Sequence, residues 1–184
     1  VRINHGGTEM GQGLFQKVAQ VAARIFGIPI KKVQITATDT AKVPNTSATA
    51  ASSGSDLNGM AVKEACDIIC ARISSYFIEK YRPNTDDVKF EDGRVRGSNF
   101  DISFEDAVYE IYTQRISLSS TGFYKTPDLQ WDRIKGKGRP FYYFAYGAAV
   151  SEVVVDTLTG EFKLLRSDIL HDAGNSLNLS LIHI

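Results

Sequence analysis

The chain has 184 residues, 43% of them hydrophobic and 23% charged, and its 21 basic and 21 acidic side chains cancel. That length allows one domain with a real core or two small lobes, and the balanced charge argues against nucleic acid or a membrane surface as the main partner, since both reward a basic excess. No apolar run approaches the ~20 residues of a membrane span, no stretch reads as a signal peptide, and two cysteines, Cys66 and Cys70, are too few for a disulfide framework, so a reducing cytoplasm is the expected setting.

Val1 to Asn4 reads as a strand. It leads into Gly6-Gly7-Thr8-Glu9-Met10-Gly11-Gln12-Gly13, four glycines and a glutamine just ahead of a helix. Glycine lets a backbone approach a ligand closely, and the unpaired N–H groups and positive dipole end of a helix start favour an anion. The spacing matches neither a P-loop nor the G-x-G-x-x-G dinucleotide loop. Leu14, Val18, Val21 and Ile25 repeat at helical spacing and predict an amphipathic helix over 14–26, capped by Gly27 with Pro29 beyond. Val33, Ile35 and Ala37 alternate as in a half-buried strand.

Residues 44–56 are small and polar, and they run into a long predicted helix over 56–80 with Val62, Cys66, Ile69, Ile73 and Phe77 on one face. Ser and Asp ahead of a helix are capping residues, so this segment is a second candidate anion loop. Asp92-Gly93 predicts a hairpin. Ser103 and Asp106 resemble a capping box, with a helix to about Tyr112. Ile116–Ser120 reads as a strand and 121–140 as a long loop. Phe141–Val155 and Glu161–Leu170 read as strands joined by a turn at 156–160. The expected fold class is α+β, with mixed and antiparallel sheets and packed helices.

Two classes of function follow from these patterns. An enzyme domain would use both loops on an anionic cofactor; a noncatalytic scaffold would use them only to turn the chain. Small polar residues at two helix starts favour the first, provided that Gln12 and Ser52 converge.

Several longer motifs stand in register: Gly6–Gly13, Val43–Ser52, Asp56-Leu57-Asn58-Gly59, Ser119–Pro127, Tyr146-Gly147 with Ser151-Glu152-Val153, and Asp172–Asn178. Over residues 1–178 they resemble the molybdenum-binding domain of the xanthine dehydrogenase family of molybdenum hydroxylases. The resemblance implies an oxidoreductase that hydroxylates hypoxanthine or xanthine with oxygen from water, with aldehyde oxidase or another heterocycle hydroxylase of the family as the alternative. It implies a molybdenum–molybdopterin cofactor here, 2Fe-2S clusters and FAD on other domains or subunits, NAD as acceptor, and a homodimer of the full enzyme. Met10, Gly11 and Gln12 match the family's pterin-contacting loop; Thr49, Ala50, Ala51 and Ser52 match the loop that wraps the pterin and its phosphate. No direct metal ligand and no catalytic residue are carried over, because the family's general-base glutamate and substrate clamps lie outside this stretch. The expectation is therefore an internal piece, catalytically incomplete alone. Residues 179–184 depart from the family pattern and are expected to be a non-native tail on a gene cut short.

Other residues carry two readings. Cys66 and Cys70 suit core packing better than a metal pair. His171-Asp172 suits a strand-end pair better than a dyad. His5 is read as structural rather than as a cofactor contact, and Glu9 as the cap of the following helix rather than a base. Tyr124 and Lys125 line a substrate channel or simply pack. Trp131 with Lys135, Lys137 and Arg139 is a solvated loop before it is a partner-binding patch.

Overall fold

The computed structural model describes residues 1–42, 46, 48–50, 52–83 and 87–177. The chain divides into two units, Val1–Lys125 and a second beginning at Thr126.

The first unit is built on two helices. α1 (Leu14–Ile25) buries Leu14, Val18, Ala19, Ala22 and Ala23, the stripe its spacing predicts. It ends in a Schellman motif: Ile28 N–H reaches the Ala23 carbonyl at 2.9 Å and Gly27 N–H the Arg24 carbonyl at 3.3 Å. Gly27 takes φ 61° there, and a Cβ on it would strike the backbone of Phe90. α2 (Gly54–Tyr81) lies against α1 and buries Gly59, Val62, Cys66, Ile73 and Phe77. It stops where Arg82 turns left-handed ahead of Pro83.

Around this pair, β1 (Arg2–Ile3) and β2 (Gln34–Ile35) form a short parallel ladder, with a 3₁₀ turn at Ile30–Lys32 before β2. The predicted strand over 33–37 is therefore shorter than its alternation. β3 (Lys89–Glu91) and β4 (Arg94–Gly97) form the expected hairpin, with Asp92 and Gly93 both at positive φ. β5 (Phe100–Ser103) adds a third antiparallel strand that the sequence pattern did not reveal. α3 (Phe104–Thr113) starts at the predicted cap: Ser103 Oγ accepts from Asp106 N–H at 3.1 Å and donates to the Asp106 carboxylate at 2.6 Å. Phe77, Tyr81 and Phe100 stack at the centre, and Val95, Phe104, Ala107 and Ile111 close the core.

Residues 116–120 are not a strand. Arg72 of α2 donates to the Ser117 and Ser119 carbonyls at 3.1 and 2.8 Å, and Glu64 accepts from Phe123 N–H at 2.9 Å. Their backbone groups go to side chains of α2, so the segment is an irregular strap along that helix.

In the second unit, β6 (Gln130–Asp132) and β7 (Lys137–Arg139) form a hairpin inside what the sequence reads as loop. β8 (Gly147–Val155) and β9 (Phe162–His171) form a long antiparallel ribbon, β8 starting later than the predicted Phe141. Asp156 holds its turn by accepting from Leu158 N–H (2.8 Å) and Thr159 N–H (3.2 Å). Mixed α and β elements with mostly antiparallel sheets make this an α+β fold.

Candidate functional site

The start of α1 is not an open anion site. Glu9 folds back over it: Oε1 accepts from Gly11 N–H (2.9 Å) and Gly13 N–H (3.0 Å), and Oε2 accepts from Phe15 N–H (3.0 Å). Those amides hold its carboxyl below the usual glutamate range, the Phe15 bond most of all. Glu9 thus supplies the anion that the helix dipole favours, which agrees with its reading as a cap and corrects the expectation that this helix start is free for a ligand.

Gln12 braces the same loop from its other side. Its Oε1 accepts from Met10 N–H at 2.6 Å and its Nε2 donates to the Thr8 carbonyl at 2.8 Å. One amide hydrogen and one lone pair are surplus to these bonds. Thr8 in turn donates its N–H to Thr49 Oγ1 at 2.8 Å, 41 residues away in sequence. That bond joins the glycine loop to the second loop.

The glycines divide into two kinds. A Cβ on Gly6 would strike the Thr46 side chain, and one on Gly7 would meet Leu14 at 2.5 Å and Asn58 at 2.8 Å. Both are crowded by neighbouring segments, Gly6 by Thr46 and Gly7 by α1 and α2. Gly11, at φ 101°, is different: among the described residues nothing lies within 4 Å of a Cβ there, and neighbouring Met10 is 68% exposed.

At the second loop, Ser53 precedes α2 without a side-chain cap, its hydroxyl turned at 3.5 Å towards the Ala50 carbonyl. Thr49, Ala50 and Ser52 stand here; Ala51 lies outside the described residues, as do 43–45, 47 and 178–184 with the proposed tail. Of the sequence-singled residues, Met10, Gly11 and Gln12 share one loop and Thr49 is tied to it. Thr8 and Asn58 stand inside the sequence motifs, yet no spacing signal marks a loop amide or a first-turn amide as a link between two segments.

The other candidates fall into buried groups and exposed ones. Cys66 lies in the core and Cys70 against it, and burial pushes both thiols up to about 12. Among the described residues no cluster could hold a metal ion. Asp172 accepts from Gly174 N–H at 2.9 Å, an Asx turn at the end of β9. Tyr124 lines a shallow hollow on α2 with Met60, Lys63 and Glu64. Two of the cations near Trp131 have counter-ions, Lys135 with Asp132 and Arg139 with Asp128, each at 3.9 Å. His5 is buried, its Nδ1 accepting from Gly7 N–H at 3.1 Å and its ring edge-on to Phe15. Burial lowers its pKa, against weaker opposing pulls from Asn58 and Glu9. No hydrogen-bond partner for Nε2 stands among the described residues.

These features fit a pterin with an attached phosphate. Gln12 has a donor and an acceptor to spare, Gly11 leaves room beside it, and Glu9 fixes the loop through Gly11 and Gly13 and ties it to Phe15 of α1.

Comparison with known proteins gives the family. Residues 1–183 match the family described as molybdopterin cofactor-binding domain. The chain is 48% identical over 178 residues to xanthine dehydrogenase/oxidase of Mus musculus and 48% identical to xanthine dehydrogenase of Oryza sativa subsp. japonica. Both alignments cover 97% of this chain, which spans 12% of each relative's length. Its fold is similar to that of CO dehydrogenase from Oligotropha carboxidovorans (TM-score 0.76, 20% identity, 98% of this chain and 22% of that one). It is likewise similar to quinoline 2-oxidoreductase from Pseudomonas putida 86 (TM-score 0.77, 20% identity, 98% of this chain and 23% of that one). A glycine loop and a small-residue loop tied across 41 residues, on a chain matched over nearly its whole length, lead to one conclusion: this chain belongs to the molybdopterin cofactor-binding domain family.

Proposed function

We propose that this chain forms part of the molybdopterin cradle of a xanthine dehydrogenase, an enzyme that oxidises hypoxanthine and xanthine. The observation that carries the proposal is the Thr8–Thr49 hydrogen bond, with Gln12 fixing the Thr8 carbonyl from within the loop. It places two polar loops of small residues edge to edge in a family whose members bind this cofactor.

In this reading Gln12 faces the pterin edge with its spare amide hydrogen and lone pair. The backbone at Met10 and Gly11 supplies close contacts without a side chain in the way. Thr49, Ala50, Ala51 and Ser52 wrap the pterin, and the first-turn N–H groups of α2 receive its phosphate. The bound molybdenum centre supplies the oxidation itself, placing water-derived oxygen on an electron-poor carbon. The residues of this chain bind and orient; the general base and substrate clamps are proposed to lie outside residues 1–178. Iron–sulfur clusters and FAD on other domains or subunits are proposed to carry electrons to NAD, in a homodimeric cytoplasmic enzyme.

The test uses the intact protein made in a host that assembles the cofactor. Molybdenum content and xanthine-dependent NAD reduction are measured with and without Gln12→Ala. Removing two loop hydrogen bonds of about 1 kcal/mol each is expected to weaken cofactor retention about tenfold or more. Molybdenum without xanthine turnover would move the substrate to an aldehyde or another heterocycle. A folded protein devoid of molybdenum would contradict the proposal.

A further inference from the structure

Among the described residues, His5 is the buried polar side chain of the site that the cofactor contacts leave unused, and its surroundings are specific. It is 7% exposed, edge-on to Phe15 of α1 with ring centroids 5.1 Å apart, and its Nδ1 accepts the Gly7 N–H. Gly7 is itself clamped between Leu14 at the start of α1 and Asn58 in the first turns of α2. The next residue, Thr8, makes the bond to Thr49 that joins the loops. An apolar ring would fill the same slot without stranding a donor at Nε2. What the imidazole adds is the acceptor at Nδ1, at the base of the glycine loop.

We propose that His5 is a positioning residue for the cofactor loop, acting only as the neutral ring with its proton on Nε2. Nδ1 must keep its lone pair to hold Gly7 N–H, and through Gly7 and Thr8 it holds the register of the two loops. This inference rests on the cofactor reading above. Protonation puts a hydrogen on Nδ1, turns acceptor into donor, and releases Gly7.

The groups around the ring define the pH window. Among the described residues the charged group acting on it is Glu9, while α2 offers uncharged Asn58 and α1 offers Phe15. Desolvation outweighs Glu9 and keeps the ring neutral when packed. A released, solvated ring regains the ordinary value of 6.5. The closed loop is therefore at full strength above about pH 6.5 and loses ground as pH falls below it. Glu9 stays ionised across that window because its own pKa is lowered from 4.5, so the cap of α1 does not confuse the result.

The experiment uses the intact holoprotein and measures pterin release by fluorescence. Between about pH 7.5 and about pH 5.5, release from the wild type is expected to accelerate about tenfold, the ratio by which a group of pKa near 6.5 favours the open loop. His5→Leu removes the acceptor and is expected to release pterin quickly at both pH values, with less than about a twofold dependence on pH. His5→Asn keeps an oxygen near the Nδ1 position and is expected to release slowly at both. If His5→Leu does not fold, His5→Asn against wild type decides alone. Acid acceleration that persists unchanged in His5→Asn would overturn the inference while leaving the cofactor reading intact. A wild-type protein that folds but holds no pterin would overturn both.

Discussion

At the scale of single residues, the glycine loop is held from within by its own side chains. Glu9 satisfies three N–H groups around the start of α1, and Gln12 closes the loop over Met10 and Thr8. Replacing Glu9 with Ala is expected to cost α1 about 1 kcal/mol, the usual worth of a helix cap. Amide hydrogen exchange in the first turn of α1 should then quicken about fivefold in the intact protein. In the parent that protection is present above pH 4.5 and fades as pH falls through the lowered value of Glu9. A second expectation separates the two kinds of glycine. Gly7→Ala drives a Cβ into Leu14 and Asn58 and should destabilise by about 1–3 kcal/mol, lowering the melting temperature and soluble yield. Gly11→Ala meets no atom within 4 Å, so at φ 101° it carries backbone strain alone; it should fold, with a lower melting temperature and no repacking of α1 visible by exchange. The sequence marks Glu9 as a cap because an acid ahead of a helix has an obvious use. It does not reveal why Gly6 and Gly7 are glycine. Thr46 and Asn58, which crowd them, are distant in sequence, and only the fold brings them near.

Among the elements, legibility followed local chemistry. α1 with its Schellman end, the Asp92-Gly93 turn and the Ser103 cap were all readable because the groups that fix them lie within a few residues. Ser103→Ala should weaken α3 by about 1 kcal/mol, read as faster exchange of its first-turn amides. β5 and the β6–β7 hairpin were missed because their strands are three or four residues long, too short for alternation to show. The segment 116–120 reads as a strand because its residues alternate; Arg72, more than forty residues earlier, claims its Ser117 and Ser119 carbonyls instead, and Glu64 holds Phe123 N–H just beyond it. α2 places Cys66 and Cys70 one turn apart on its buried side. With both thiols pushed up to about 12, neither should react with a thiol reagent at pH 8 until the helix opens; rapid labelling of the folded protein would contradict the packing described here. The β8–β9 ribbon carries Val153, Val155, Phe162 and Leu164 in the open, each more than half exposed. A two-stranded ribbon of this kind is marginal by itself, so in the isolated chain its amides should exchange far faster than those of α1 and α2.

For the whole molecule, charge balance and composition narrow the class of partner, but the family is readable only through several motifs in register. No single loop carried it: the glycine run alone pointed to an anion at α1, and Glu9 already occupies that place. The structure moves the emphasis to the pairing of the loops. Gln12 supports Thr8, Thr8 meets Thr49, and Asn58 of α2 stands beside Gly7. If the two loops act as one cradle, damage to either should cost the cofactor and damage to both should cost little more. The direct measurement is molybdenum and pterin content per protomer of the intact protein as wild type, Gln12→Ala, Thr49→Val and the double variant. The expected result is a clear loss in each single variant and a double no more than about twofold below the worse single. Full cofactor occupancy in Thr49→Val, or losses that simply multiply in the double, would contradict a cradle built from the two loops together.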